Sequence, residues 1–406
     1  MESANLVQVL QQALSADGNV RIPAEAVLKE AESAPGHLTQ LLSVFFSEDA
    51  PSDVRWLAIL CFKNAIPRLW KPRISGEEKS SLYKMLEENI IVNDYRYAIQ
   101  LAVSVAKISR SDYPRQWPTL LDRVAQHLYA PEQLRRDRAM LVLYHIVKEL
   151  SSRRIFNDRE VFYRTTPGLL QCVRDIYSQN LQFVLSNADE LRKEPAAVNS
   201  SILSAAESLK LCLKILRSLV VHGIEKDALH KNEGALNFLK EVFDTILPSL
   251  GAIQDSPVGS TAADFFSMMM KLSYKLAMKA MSTHAYCMCV FLPSLVPAII
   301  QHLESEYKVA CDGDGRMSLD RHREVPIVYA LYLLKEILTT RMYKSVIHVK
   351  GDSANVHQEY ENTRQAMVSM TSGESVDRLL HVCVNGFMKL SEDALVQWEE
   401  DPEEFV

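Results

Sequence analysis

The sequence is poor in the residues that make tight turns. Among its 406 residues only 13 are glycine and 16 are proline. Folds rich in β-strands need many such residues, because hairpins and tight connections use backbone conformations that glycine and proline favour. The scarcity of both residues argues against a β-sandwich or a barrel, and it favours helices joined by short loops.

A general excess of positive charge is also missing. The formal net charge is −6, which argues against broad nucleic-acid binding. The charges are unevenly distributed, because residues 110–164 are rich in arginine whereas the C-terminal stretch SEDALVQWEEDPEEFV carries acids and no base. These segments are either solvated helix faces or complementary surfaces for charged partners.

No uninterrupted apolar run is long enough to cross a membrane. The longest, YCMCVFLPSLVPAII, has about 15 residues and is broken by Pro293 and Pro297, whereas a transmembrane helix needs about 20. The N-terminus lacks the basic segment of a secretory signal. The seven cysteines are scattered and are typical of core thiols in a reducing compartment. We therefore expect a soluble, intracellular protein without membrane insertion.

No catalytic or metal-binding motif is recognisable. The sequence has no Walker loop, GxGxxG, GxSxG or HExxH pattern. The segment from Asp312 to Arg323 superficially resembles a calcium loop, but it has arginine and methionine where acids and glycine are needed. His284, Cys287 and Cys289 lack a second ligand pair, which favours core packing. We predict a protein that is not an enzyme and holds no cofactor or metal.

Apolar residues recur at helical spacing along almost the whole chain, with short polar breaks. Pro23 suits the first turn of a helix, the Pro35–Gly36 pair ends that helix, and Ser75 with Glu78 forms a capping box. Second helices of successive pairs are predicted at 23–33, 52–68, 93–110 and 132–150. Further helices are predicted at 158–186, 197–222, 232–250, 260–283, 285–306, 324–345, 355–371 and 375–391.

An acid followed by an arginine recurs at intervals of about 40 residues. The recurring residues are Asp53 and Arg55, Asp94 and Arg96, and Asp137 and Arg138. A period of about 40–47 residues with two helices per unit is the signature of HEAT-type α-solenoids. The pattern predicts an all-α protein, an α–α superhelix of HEAT repeats with an armadillo-type fold.

The repeated arginine needs a partner, because a cation in the first turn of a helix is disfavoured by about 0.3–1 kcal/mol. The acid can cap its own helix. It can also face the arginine of an adjacent repeat, which would make an acid–arginine ladder that holds the repeats in register. The alternative is that the spacing is a coincidence.

The order of motifs in the N-terminal part resembles that of the importin-β N-terminal domain. An acidic helix, a Pro-Gly stop, an arginine-led helix with Lys-Asn near its end, a tryptophan and a start of the form S-x-E-E-K follow one another. A generic HEAT array does not require this order. Further segments are similar to the importin eleven group of that superfamily, namely VAKISRSDYPRQWPTLL, SLKLCLKILRSLVVHG and LVQWEEDPEEF.

The resemblance implies how the chain is organised. We expect residues 1–110 to form the importin-β N-terminal domain, and residues 111–406 to continue the HEAT-repeat solenoid. Members of the group are far longer than this chain, so we further expect an N-terminal portion, truncated at its C-terminus.

The resemblance also implies a nuclear transport receptor of the karyopherin-β type. Such receptors bind protein cargo, cross the nuclear pore through Phe-Gly nucleoporins and release cargo when Ran-GTP binds. For this chain the resemblance implies nuclear import by a monomer that moves between cytoplasm and nucleus, without direct nucleic-acid contact. A HEAT scaffold with partners indifferent to nucleotide and an export-type karyopherin are the alternatives.

In this family the Ran-GTP surface lies largely on the second helices of the first repeats. Lys63 and Asn64 match the Lys-Asn of the family pattern, and repeat geometry adds Arg68, Lys107 and Arg110. Basic and amide side chains suit the carboxylates and backbone groups of GTPase switch regions. Lys63 and Asn64 have no equivalents in the next two repeats, which favours a binding role, although Asn64 can instead bond between repeats.

Overall fold

The computed structural model describes residues 3–32, 34–71, 74–193, 198–257, 260–310 and 321–341, together with 343, 364, 365, 367, 368 and 372–387. Every regular element in these residues is a helix, which confirms the predicted all-α fold. The chain forms two compact units, Met1–Arg164 and Thr165–Val406.

The first unit is a series of helix pairs. Its helices are α1 (Ser3–Ala13), α2 (Gly18–Ala31), α3 (His37–Phe46), α4 (Ser52–Leu69), α5 (Gly76–Glu88), α6 (Tyr95–Asp112), α7 (Leu120–Leu128) and α8 (Gln133–Ser151), followed by the start of α9 (Phe156–Ser186). The second helices α4, α6 and α8 pack side by side in one layer. Their bounds agree with the predicted spans to within about two residues.

The predicted start of the second helix in the first helix pair, at residue 23, is wrong. The helix begins at Gly18 and contains Pro23, because Asp17 caps it by accepting a hydrogen bond from the amide of Asn19 at 2.9 Å. Proline at this position removes only one intrahelical bond near the helix start, to the carbonyl of Asn19. The capping residue Asp17 therefore lies six residues before Pro23, the residue at which the helix was expected to start.

Apolar residues of each second helix face the core at intervals of three or four. In α4 they are Val54, Ala58, Phe62, Ala65 and Leu69, all of which are buried. Burying a phenylalanine or leucine side chain contributes about 1.5–3 kcal/mol. This stripe leaves the polar residues of α4 on its other face, where a partner can reach them.

The predicted capping box joins two neighbouring helix pairs instead of closing on itself. Ser75 caps α5 by accepting from the amide of Glu78 at 3.2 Å, as expected. The Glu78 carboxylate, however, accepts from the amide of Gly36 at 3.3 Å and lies 3.4 Å from the Thr39 hydroxyl. Gly36 has a left-handed backbone (φ 78°), which a side chain would strain.

The ends of the second helices meet at one buried carboxylate. Asp112, with a side chain only 3% exposed, accepts through Oδ2 from the indole of Trp70 and the phenol of Tyr83, both at 2.5 Å. The Lys79 ammonium lies 3.7 Å from the same oxygen and 5.4 Å from the centroid of the Trp70 ring. One buried charge is thus satisfied by two donors and a counter-ion, and it fixes α4, α5 and α6 together.

The segment after Asp112 extends this cluster to α8. Trp117 stacks on Tyr83 with ring centroids 4.6 Å apart. Arg153, which follows α8, donates to the carbonyls of Ser109 at 2.8 Å and Tyr113 at 2.9 Å. The sequence DYPRQWP therefore has a structural role, because it carries the contacts that bind the end of α6 to its neighbours.

The second unit continues the same arrangement with longer helices. After α9 it contains α10 (Ala188–Leu191), α11 (Ser200–His222), α12 (Glu233–Asp244), α13 (Ile246–Gln254), α14 (Thr261–Met288), α15 (Leu292–Ala310), α16 (Arg321–Thr339), α17 (Gly373–Val382) and a π-helical turn, Cys383–Phe387. Helix α14 packs against both α11 and α16.

Two predicted helix boundaries in this unit have different outcomes. The prediction of a single helix at 232–250 is wrong, because the helix is interrupted at Thr245. The Thr245 hydroxyl donates to the Val242 carbonyl at 2.7 Å, and Pro248 has no amide hydrogen to donate to the Asp244 carbonyl. The break predicted near 284 is confirmed by the non-helical backbone of His284. Most of the helix predicted at 355–371 lies outside the described residues.

One helical stretch of the described chain, Thr261–Val309, is long and apolar enough to cross a membrane by length and composition. It contains the apolar run YCMCVFLPSLVPAII, which by itself is too short to span a membrane. More than half of its most apolar window, 56%, is buried inside the protein. Burial of this kind is typical of a core helix, in keeping with the packing of α14 against α11 and α16.

We expect Asp112→Asn to destabilise the first unit by about 3 kcal/mol, because it leaves the buried Lys79 ammonium without its counter-ion. The measurement is the free energy of unfolding from urea denaturation of the whole chain. The matched control is Asp49→Asn at an exposed carboxylate, which should change stability by less than about 0.5 kcal/mol. Equal effects of the two variants would contradict the role of Asp112.

Candidate functional site

Two of the predicted Ran-binding lysines lie on adjacent second helices, Lys63 on α4 and Lys107 on α6. Both are half-buried. The Lys63 ammonium donates to the side-chain oxygen of Gln100 on α6 at 2.7 Å. Burial, and then the positive charge of Lys107, lower the pKa of Lys63. A carboxylate from a partner would stabilise the charged form of both amines, so this pair is suited to bind an acidic group.

Asn64 stands beside this pair and is exposed. The structure shows no hydrogen bond from its side chain to another described residue. The alternative in which Asn64 bonds between repeats is therefore not formed. Its amide offers both a donor and an acceptor to a partner.

Arg68 and Arg110 differ from the lysine pair because both already form ion pairs. Arg68, at the end of α4, pairs with Glu32 at 2.7 Å, and Arg110, near the end of α6, pairs with Glu149 of α8 at 3.3 Å. Their side chains are 58% and 46% exposed. A partner carboxylate would have to compete with these glutamates, so the two arginines are less available than Lys63 and Lys107.

The predicted acid–arginine pairing between repeats is wrong for Arg55. Its Nε donates to the main-chain carbonyl of Phe45 at 2.9 Å, and its guanidinium lies 5.4 Å from the ring centroid of Tyr97. The Tyr97 hydroxyl in turn donates to the carbonyl of Ser52 at 2.6 Å, which joins α6 to the start of α4. The arginine satisfies a carbonyl at the end of α3 and a ring face of the next repeat.

Arg138 follows the same rule at the next joint. It donates to the carbonyls of Val92 at 2.8 Å and Asn93 at 2.6 Å, just before α6, and lies 5.3 Å from the ring of Tyr95. Arg96 instead pairs with Asp94 of its own repeat at 3.1 Å. Carbonyls in the turns between helices lack helical partners, which explains why two of the arginines bind them.

Each acid of the repeat accepts a hydrogen bond within its own helix or at the start of that helix. Asp94 is the N-cap of α6 and accepts from the amide of Arg96, which confirms the capping role for this acid. Asp53 accepts from the amide of Val54 at 2.9 Å, and Asp137 accepts from Gln133 at 2.8 Å. The joints at Arg55 and Arg138 therefore use arginine and tyrosine donors and main-chain carbonyls in place of the predicted pairing. Arg68 with Glu32 and Arg110 with Glu149 form separate ion pairs between neighbouring repeats.

The suspected metal ligands are core residues. His284 is buried, accepts from the amide of Asp227 at 3.1 Å and lies 2.8 Å from the carbonyl of Val220. Burial lowers the pKa of His284. Among the residues that the structure places, no group of three or more His, Cys, Asp or Glu side chains is arranged to hold a metal. Residues 311–320 of the calcium-like segment lie outside the described part.

A groove between α9 and α12 was missed by sequence reasoning, since a leucine that lines a groove and a leucine in the core look alike in a sequence. It has a volume of about 600 Å³ and an apolar floor that includes Tyr177, Leu181 and Leu185, with Glu241 and Asp244 at its edge. Leu185 is 48% exposed. The groove is therefore open to solvent and suited to an apolar side chain.

Stacked helix pairs with a layer of second helices define a HEAT-type α-solenoid. Residues 24–90 match the family model described as the Importin-beta N-terminal domain. Importin-11 of Homo sapiens is 31% identical over 410 residues, which cover 99% of this chain and 40% of that protein. The chain belongs to the importin-β (karyopherin-β) superfamily.

Solved structures agree with this fold. The structure of Lph2, described as a bidirectional nuclear transport receptor in S. cerevisiae, matches with a TM-score of 0.73 and 22% identity over 98% of this chain and 38% of its own. The exportin Cse1 in its cargo-free, cytoplasmic state matches with a TM-score of 0.57 and 16% identity over 99% of this chain and 39% of its own. The chain spans about two fifths of the length of these proteins.

We expect Arg138→Met to destabilise the first unit by about 1–2 kcal/mol, because it removes two hydrogen bonds while keeping the apolar stem of the side chain. The comparison is Arg135→Met on the same helix, where an exposed pair with Glu132 is lost and the cost should stay below about 0.5 kcal/mol. Urea denaturation measures both variants. If the Arg138 variant were no less stable than the control, carbonyl binding would not hold this joint.

Proposed function

We propose that this chain is a nuclear transport receptor, or a portion of one, that binds Ran-GTP through its second helices and serves protein import. The observation that carries the proposal is the half-buried pair Lys63 and Lys107, with the exposed amide of Asn64 beside it. Membership of the importin-β superfamily supports it. The chain acts as a monomer that moves between cytoplasm and nucleus and does not bind nucleic acid.

The chemistry of the lysine pair favours a GTPase switch region. A carboxylate placed between two amines that repel each other stabilises the charged form of both. Amide groups can bind the exposed backbone of a loop. Charge complementarity of this type raises the association rate and selects the partner. Arg68 and Arg110 extend the surface once a carboxylate of the partner displaces Glu32 or Glu149.

The groove between α9 and α12 is our candidate for contact with Phe-Gly nucleoporins. Leu181 and Leu185 give it an apolar floor, and it has room for a phenylalanine ring. An open, shallow groove buries little area and so suits the weak contacts that passage through the pore requires. Protein cargo is then carried along without a strong attachment to the pore.

The direct test is retention of the chain by immobilised Ran locked in either nucleotide state. The GTP form should retain the chain and the GDP form should not. Equal retention by both forms would favour a scaffold indifferent to nucleotide, and no retention of a folded sample would contradict the proposal. The direction of transport is tested with proteins that the chain captures from cytosol. An import receptor should release these proteins when Ran-GTP is added, whereas an export receptor should bind them only when Ran-GTP is present.

We expect Lys63→Glu to weaken Ran-GTP binding at least about tenfold, because it replaces an attractive charge at the contact by a repulsive one. The melting temperature should stay within about 2 °C of the original chain, because the side-chain amide of Gln100 can turn and donate to the new carboxylate. Lys84→Glu is the control, because the Lys84 side chain is 77% exposed on α5. A loss of folding in the Lys63 variant would show that Lys63 is structural, and equal binding by both variants would show that it lies outside the contact with Ran-GTP.

A further inference from the structure

Three lysines on α14 form a row of like charge. Lys271, Lys275 and Lys279 are four residues apart and therefore lie on one face of the helix. Like charges at this spacing repel each other, so the row disfavours the helix that carries it. In the part of the chain that the structure describes, no carboxylate lies within 4.0 Å of any of the three ammonium groups.

Two other cations of the same unit have counter-ions. Lys210 pairs with Glu207 at 2.7 Å on α11, and Arg378 pairs with Glu304 at 2.6 Å. The row on α14 differs from them, because its ammonium groups repel one another without a carboxylate of the described chain within 4.0 Å. A row of unneutralised charge is what a surface needs to attract an anionic partner.

The row borders a cavity of about 490 Å³ between α11, α14 and α16. Arg217 of α11 lines it together with Lys275 and Lys279 of α14, and none of its lining residues that the structure describes is acidic. Met278 and Val221 contribute apolar surface. The size is within the range of about 300–1,000 Å³ that is usual for binding pockets.

Tyr329 of α16 closes one side of the cavity. Its ring centroid lies 4.6 Å from the Lys275 ammonium and 5.7 Å from that of Lys271. A hydrogen bond from Lys275, with the positive charges of both lysines, lowers the pKa of Tyr329. The exposed ring of Tyr332 lies next to Tyr329, with centroids 6.2 Å apart. Two cations and an aromatic ring thus meet at this side of the cavity.

We propose that this cavity binds an acidic peptide segment of a partner protein. Carboxylates of the peptide pair with Arg217, Lys275 and Lys279, and an apolar side chain between them packs on Met278. A nucleic acid fits less well, because the described lining offers the ring of Tyr329 but no row of aromatic side chains on which successive bases could stack. The site uses helices other than those proposed for Ran-GTP.

The test uses a fluorescein-labelled peptide of sequence EEFEELEE, titrated with the whole chain and followed by fluorescence anisotropy. The double variant Lys275→Glu/Lys279→Glu should raise the Kd at least about tenfold, because two attractive charges become repulsive. The control Lys231→Glu/Lys240→Glu makes the same change of charge at exposed lysines and should leave the Kd within about twofold. Melting temperatures of both variants exclude unfolding.

Three results would overturn the proposal. They are absence of peptide binding to the folded chain, an unchanged Kd in the Lys275/Lys279 variant, and equal binding of the peptide in which glutamine replaces every glutamate. Tighter binding of oligouridine than of EEFEELEE would also contradict it and would indicate a nucleic-acid site. Because the double variant should still bind Ran-GTP, failure of this proposal and failure of the proposed function are distinguishable.

Discussion

The buried carboxylate of Asp112 is the interaction on which the first unit depends. A charge that is almost completely removed from water is tolerated only with a counter-ion and hydrogen-bond donors, and Lys79, Trp70 and Tyr83 supply them from two other segments. These contacts fix the ends of α4 and α6 relative to α5. Arg153 adds the end of α8 through main-chain carbonyls. Fixed helix ends keep the second helices in one layer.

The layer explains why polar residues can serve as a binding surface. Joints between repeats are made at the helix ends, by Arg55 and Arg138 on carbonyls and by Tyr97 on the carbonyl of Ser52. Lys63 and Lys107 lie away from these end contacts, and the Lys63 ammonium also joins α4 to α6 through the side chain of Gln100. In the second unit the lysine row of α14 likewise lies on a helix packed between α11 and α16. Both surfaces combine a rigid support with charge that the fold itself leaves accessible.

Sequence predicted the helical class and most second helices, because apolar spacing directly reports which face is buried. It did not predict the partners of Arg55 and Arg138, since carbonyls presented by a turn leave no trace in residue identity. The role of Asp112 was hidden because its side-chain partners lie far from it in the sequence, although its segment was noticed as a family marker. Lys63 and Asn64 were found through the resemblance and through their absence from neighbouring repeats. The cavity of α14 joins residues distant in sequence, so no local pattern revealed it.

The central claim is that the pair Lys63 and Lys107 meets carboxylates of Ran in its GTP form. Carbodiimide joins an amine to a carboxylate without a spacer, so it reports only direct ion-pair contacts. Mass spectrometry of the cross-linked mixture should identify Lys63 or Lys107 joined to Ran in the GTP form and neither in the GDP form. Cross-links confined to other lysines, such as Lys84, or identical cross-links in both nucleotide states, would contradict the account.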